Sequence, residues 1–198
     1  DATALTNVFT GRPARGIVNR IVAEVGPLTD RAPAFPAAAG ALMPLRAAAE
    51  FARTTGAIFI HPFDHEDIVA GQGTLGLEIY EQRPDVETVI VPIGGGGLIS
   101  GVASAIKQRA ALDGRVVRVI GVQAANPSPS PLSLKQGEPT QITITPTIAD
   151  GIAVSRPGDL NFEIVRRVVD EVITVSEDDI AQALLVLLER AKLVVEPA

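Results

Sequence analysis

The chain has 198 residues, 46% hydrophobic and 20% charged, with 17 Lys and Arg against 23 Asp and Glu for a formal net charge of −6. That length and balance support one domain with a core and exclude a disordered chain or a repeat array. No dense Lys/Arg stripe offsets the acidic balance, so a small molecule is expected as partner rather than nucleic acid. No apolar run is long enough to span a bilayer and no charged-then-apolar signal pattern is present, so membrane and secretion are not expected and a cytoplasmic location is. The absence of Cys removes disulfides, thiolate metal sites and Cys nucleophiles together. Lysine is scarce, at Lys107, Lys135 and Lys192 alone. The chain opens on Asp1 and stops at Pro197-Ala198 directly after the apolar run Leu193 to Val195, and is expected to be a segment of something longer.

In chain order, the first stretch is rich in Ala and Pro, with turns at Gly11-Arg12-Pro13, Gly26-Pro27 and Ala32-Pro33 around helical patterns near 16–25 and 37–54. Arg12, Arg15 and Arg20 read as scattered surface residues. After Gly56 strands and helices alternate. A short apolar strand is predicted over Ala57 to Ile60 and a helix from Gly73 to Arg83. Glu87 to Ile93 is a continuous β-rich run of the kind buried on both faces of a parallel sheet, and Val116 to Val122 and Val172 to Val175 repeat it. A helix over 98–111 follows the first of these, and Ser176, before Glu177, Asp178 and Asp179, predicts an N-cap with first-turn acids for the last helix. The alternation predicts an α/β fold.

The strongest motif is GGGGLISG at 94–101, between a buried strand and a helix. Each glycine costs roughly 1 kcal/mol relative to Ala in an ordered backbone, so four in a row point past an ordinary turn to a nest of N–H groups that, with the helix N-terminus, receives an anion. The alternative is a tight turn with close packing. Leu98 and Ile99 stand where a P-loop needs Lys and Ser/Thr, which excludes that route to ATP or GTP. A dinucleotide fingerprint fits poorly, since Ser100 takes the sixth position and the next strand ends at Gln123. His61, Asp64, His65, Glu66 and Asp67 imitate a metal site, but Pro62 spoils the helix that would align them, and a loop leading into an acid-capped helix is expected instead. Asp150-Gly151 reads as a turn, and Glu189, Arg190 and Lys192 as a solvated helix face. Glu196, after an apolar run and before Pro197, is expected to be partly buried.

Six ordered motifs then carry a resemblance: FIHPFD (59–64), AGQGTLGLEI (70–79), VIVPIGGGGLISG (89–101), VIGVQ (119–123), TIADGIAV (147–154) and ERAKLVVEP (189–197). Residues 50–198 resemble the threonine dehydratase and serine racemase group of fold type II pyridoxal-phosphate enzymes. The resemblance implies a partial large domain with a Rossmann-like parallel sheet, pyridoxal 5'-phosphate as cofactor, and an L-threonine/L-serine ammonia-lyase reaction giving a keto acid and ammonia. It implies that Gly94, Gly95, Gly96 and Gly97, with Leu98 adjoining, hold the cofactor phosphate through backbone amides, and that Glu196 lies near the cofactor ring. The family's cofactor-bearing Lys sits in a Ser-x-Lys-x-Arg motif that Lys107, Lys135 and Lys192 do not match, so no catalytic residue is assigned. Its Asn loop and its pyridine-facing Ser likewise have no match. Gln123, Asn126 and Pro129 occupy the stretch where some relatives bind a divalent cation, so no metal is expected.

Residues 1–49, as VFTGRPARGIVNRIVAEVGP (8–27) and APAFPAAAGALMPLRAAAE (32–50), instead resemble the C-terminal part of flavin-dependent nitronate monooxygenases, with a join expected at Ala47 to Glu50. That family's catalytic His and flavin loop have no match, so no site is assigned to this segment. Two alternative functions remain open: a non-catalytic phosphate-binding or assembly module, and an FMN-dependent nitronate monooxygenase. The partner expected is a small amino-acid substrate, and homo-oligomerisation is left open.

Overall fold

The computed structural model describes residues 42–126 and 128–198. Helix α1 (Leu42–Thr55) runs without interruption across the expected join and ends at Gly56 with φ +74°. The helical pattern expected near 16–25, and the rest of the nitronate-type segment up to residue 41, lie outside the described residues. Ala57 to Ile60 is not a strand: all four residues are exposed and no strand pairs with them among the described residues. An apolar run forms a strand only where a neighbour satisfies its backbone groups.

Helix α2 (Glu66–Gln82) begins seven residues before the predicted Gly73. His65 is its N-cap, the ring Nδ1 accepting from the Asp67 N–H at 3.2 Å, and Glu66 and Asp67 supply first-turn charge. The sheet is three parallel strands in the order β1 (Thr88–Pro92), β2 (Arg118–Ala124), β3 (Glu171–Val175). Val91 pairs with Gly121, and Gly121 with Val172. A Cβ at Gly121 would overlap the Ile93 side chain, so glycine there lets the first crossover pack down on the sheet. Helix α3 (Gly97–Leu112) joins β1 to β2, while α4 (Pro129–Gln136) and α5 (Asp159–Val168) lie between β2 and β3.

The core is one cluster in which Ile99, Val102 and Ile106 of α3 meet Val91, Ile93, Val117 and Val119 from the sheet, with Tyr80 and Val165 closing its ends. Burial on both faces is approached only at central β2, where Val119, Gly121 and Gln123 are buried on one face and Ile120 and Val122 half-buried on the other. Ile90 on β1 is 66% exposed and Ile173 on β3 is 38% exposed, because both are edge strands among the described residues. Helix α6 (Glu177–Val186) starts with the expected cap: Ser176 Oγ accepts from the Asp179 N–H at 3.2 Å, and the Asp179 carboxylate accepts from the Ser176 N–H at 3.0 Å. The helix widens into a π-turn at Leu187–Ala191, closed by Lys192 at φ 57°. Among the described residues no helix is long and apolar enough to cross a membrane.

Candidate functional site: the glycine loop at the carboxyl end of the sheet

In a parallel sheet all strands end on the same side, and the crevice beyond those ends is where ligands of α/β proteins sit. Here Pro92, Ala124 and Val175, the last residues of β1, β2 and β3, line one cavity of about 280 Å³ together with Ile152, Leu184, Glu196 and Ala198. The four glycines leave β1 on this side and enter α3.

Two kinds of constraint act on the loop. On one side it is packed so closely that side chains are forbidden. A Cβ on Gly95 would overlap the Phe63 ring, one on Gly97 would lie 2.9 Å from the Phe63 carbonyl oxygen, and one on Gly96 would lie 2.8 Å from Asn161 Cβ. Gly96 is also the N-cap of α3 at φ +100°, a conformation that L side chains rarely adopt. Gly94 is looser, its Cβ position 3.2 Å from Ile152. The close-packing reading therefore holds at three of the four consecutive glycines.

The second constraint is polar. Among the described residues, the N–H groups of Gly94, Gly95, Gly96 and Gly97 donate to no protein acceptor, whereas the Gly95 and Gly96 carbonyls are both engaged. Gly95 O accepts from the Gly158 N–H at 3.0 Å and from Asn161 Nδ2 at 3.2 Å; Gly96 O accepts from the Ser100 N–H at 2.9 Å. A trans peptide holds its N–H opposite its C=O, so the Gly96 N–H points away from the N-terminus of α5 and the Gly97 N–H points out of the start of α3. Unpaired amides at a helix N-terminus favour an anion.

The surrounding turns are held by short-range polar bonds. His61 Nδ1 accepts from the Phe63 and Asp64 N–H groups at 3.3 and 2.8 Å, so both histidines of the cluster serve as turn and cap acceptors. Asp64 reaches across the chain to α5, whose own N-cap is Gly158, and accepts from the Asp159 N–H at 2.9 Å and the Asn161 N–H at 3.3 Å. Among the described residues no group of three or more His, Asp or Glu could hold a metal. Opposite the glycines, Asp150–Ile152 is a single 3-10 turn. Glu177, in the first turn of α6, accepts from Thr147 Oγ1 at 2.6 Å and from the Ile148 N–H at 2.8 Å, which sets that loop beside Gly94. The same two bonds hold the Glu177 carboxyl below its usual range.

Of the predicted site residues, Gly95, Gly96 and Gly97 are buried, and Gly94 and Leu98 half-buried, in one loop. Glu196 is not partly buried as expected. It is exposed and makes no ion pair among the described residues, since the stretch around it from Leu193 is itself open. It lines the cavity, linked to the loop through Ala198, Gly151 and Ile152: the Cβ positions of Gly151 and Gly94 lie 3.1 Å from Ala198 and 3.2 Å from Ile152. None of the three lysines lines the cavity. Lys107 Nζ is bound to the Asp170 carboxylate at 2.7 and 2.8 Å, and Lys192 Nζ donates to Glu189 O at 2.9 Å. Asn161 was invisible in the sequence, because its partners Phe63 and Gly95 are 98 and 66 residues away and no local pattern marks it.

A phosphate monoester suits this loop: unpaired amides and a helix N-terminus supply donors and partial positive charge. The family described as "Pyridoxal-phosphate dependent enzyme" matches residues 37–198, a span that includes the expected join. An L-threonine ammonia-lyase of Thermotoga maritima is 53% identical over 152 residues, covering 77% of this chain and 37% of that protein. A catabolic L-threonine dehydratase of Escherichia coli is 50% identical over 149 residues, covering 75% and 44%. The solved structure of maize serine racemase superposes with a TM-score of 0.71 at 38% identity, covering 77% of this chain and 45% of that one. The chain thus spans about two-fifths of the length of the curated relatives it matches. With its glycine loop at the carboxyl end of a parallel sheet, and with that match over most of its length, the chain belongs to the family of pyridoxal-phosphate dependent enzymes.

Proposed function

We propose that this chain is the phosphate-holding part of a pyridoxal-phosphate dependent ammonia-lyase acting on L-threonine or L-serine. The observation that carries the reading is the row of unpaired amides at Gly94 to Gly97, set at the start of α3 beyond the strand ends. Relatives named as threonine ammonia-lyase and threonine dehydratase supply the reaction class. When bound, the cofactor would act as an electron sink for loss of an α-proton and of a β-hydroxyl, leading to a keto acid and ammonia. Gly94 to Gly97 and the adjoining Leu98 N–H would hold its phosphate, and the 280 Å³ cavity with Glu196 at its rim would take the ring. Glu177, by anchoring the 147–152 loop, would keep the wall beside Gly94 in place. Lys107, Lys135 and Lys192 take no part in the chemistry.

The test separates phosphate from ring. Amide exchange across Gly94 to Leu98 should slow on adding pyridoxal phosphate or inorganic phosphate and should not respond to pyridoxal. Protection that pyridoxal produces equally, or that falls elsewhere in the chain, would overturn the reading. Gly96→Asp is a poor probe, since the added carboxylate would arrive with backbone strain and overlap at Asn161.

The resemblance of residues 1–49 to nitronate monooxygenases supports a separate proposal, that this segment was joined to the rest near Ala47 to Glu50. A flavin absorbance band in the purified protein would favour a function from that side.

A further inference from the structure

Asn161 is fully buried in the first turn of α5, and its amide is used asymmetrically. Nδ2 donates to two carbonyls from different parts of the chain, Phe63 O at 2.8 Å and Gly95 O at 3.2 Å. Among the described residues Oδ1 has no hydrogen-bond partner. An unpartnered buried amide oxygen is a cost that the bonds of the same side chain's nitrogen must offset. What the asparagine does that no apolar residue can is pull two carbonyl oxygens onto a single nitrogen.

One of those carbonyls determines where a loop amide points. Gly95 O is held against the α5 N-terminus by Asn161 Nδ2 and the Gly158 N–H, and the planar peptide then sends the Gly96 N–H the opposite way. The backbone at Gly96, at φ +100°, could turn over readily in an unrestrained glycine run. Asn161 Cβ also fills the space where a side chain on Gly96 would go.

We infer that Asn161 is a positioning residue for the phosphate loop: by binding Gly95 O and Phe63 O together it fixes the Gly95–Gly96 peptide plane and aims the Gly96 N–H at the anion. This rests on the proposal that the loop holds a phosphate. The residue touches neither cofactor nor substrate and acts through the peptide plane alone.

Asn161→Asp tests it with almost no change of shape. Above the pKa of the new carboxyl, an anionic oxygen faces two carbonyl oxygens and repels Gly95 O, leaving the Gly158 N–H alone to hold the plane. Below it, the protonated acid donates to one of them again, and burial against two carbonyls raises that pKa toward neutrality. Relative to the unsubstituted protein at each pH, affinity for pyridoxal phosphate should fall about tenfold or more at pH 8 and recover toward pH 6. Amide exchange at Gly96, compared with the unsubstituted protein at the same pH, should rise where affinity falls and return where affinity recovers. Asn161→Ser, which reaches neither carbonyl well, should lose affinity at every pH and serves if the first variant does not fold. If the unsubstituted protein binds no phosphate, the functional reading fails first. If it binds and both folded variants bind equally well, or the Asp variant shows no recovery on acidification, the positioning role is wrong.

Discussion

Glu177 shows how one carboxylate can tie an irregular loop to a regular element. It accepts from Thr147 Oγ1 and the Ile148 N–H, and those bonds lower its pKa from the usual 4.5. A group whose folded pKa lies below its unfolded value stabilises the fold above the unfolded value and loses that contribution as pH falls through the folded one. The Ile148 amide shift should therefore titrate with a midpoint below 4.5, and Glu177→Gln should abolish the step. The difference in Tm between the two proteins should close as pH drops through that midpoint. A midpoint above 4.5, or an unchanged titration in the variant, would mean that the loop is held by something else. At this scale local signals were legible and distant ones were not. The cap at Ser176 is written in four consecutive residues, and the glycine run announces itself. Asn161, Asp64 and Glu177 act on partners 29 or more residues away, which no spacing rule reaches.

At the scale of elements, two signals disagreed on the start of α2: the helical pattern placed it at Gly73, the acids after Pro62 at Glu66 and Asp67, where it lies. The stretch Ala70-Gly-Gln-Gly73 looks like a loop because each helical glycine costs roughly 1 kcal/mol relative to Ala. It is helix because α2 and α3 cross almost backbone to backbone. A Cβ on Gly76 would lie 2.7 Å from Val102 O, and one on Gly101 would lie 2.6 Å from Gly73 N and overlap Val69 O. Packing gained along the whole crossing outweighs propensity lost at a few sites. Gly71, in the same helix, has nothing within 4 Å of its Cβ position. The two positions should respond with opposite signs. Gly71→Ala should stabilise by about 0.5–1 kcal/mol through propensity and unfolded-state entropy. Gly101→Ala, gaining the same propensity, should destabilise by about 1–3 kcal/mol because rigid backbone must move apart. Denaturant midpoints at constant slope would report both, and a neutral Gly101→Ala would show that the crossing is looser than these distances. The strands taught a related lesson. Apolar runs at 87–93 and 172–175 gave strands near the predicted bounds, but whether a strand is central or at an edge is a property of the sheet, and the runs read the same.

At the scale of the whole molecule, the question is what chemistry these residues can complete. The fold class was legible because strands and helices alternate, the pyridoxal-phosphate family because six ordered motifs carry the resemblance, and the glycine loop because a strand, four glycines and a helix form one contiguous unit. Covalent attachment of an aldehyde cofactor needs an amine that can reach the cavity, and the geometry of the three lysines is unfavourable. Lys107 lies ten residues into α3 from Gly97, roughly 15 Å along the helix axis at 1.5 Å per residue, with its amine on Asp170. Lys135 is exposed in the last turn of α4, and Lys192 is exposed with its amine on the Glu189 carbonyl. A polypeptide of these 198 residues should therefore hold pyridoxal phosphate reversibly through its phosphate alone, at an affinity far below that of a covalently attached cofactor. After incubation and dialysis, borohydride reduction with peptide mapping should find low, scattered labelling of exposed lysines and no single stoichiometric site. L-Threonine and L-serine should yield no keto acid. Stoichiometric labelling of one lysine accompanied by keto-acid release would require that lysine to reach the strand ends. It would show that the helices carrying Lys107, Lys135 and Lys192 rearrange around the cavity when cofactor binds.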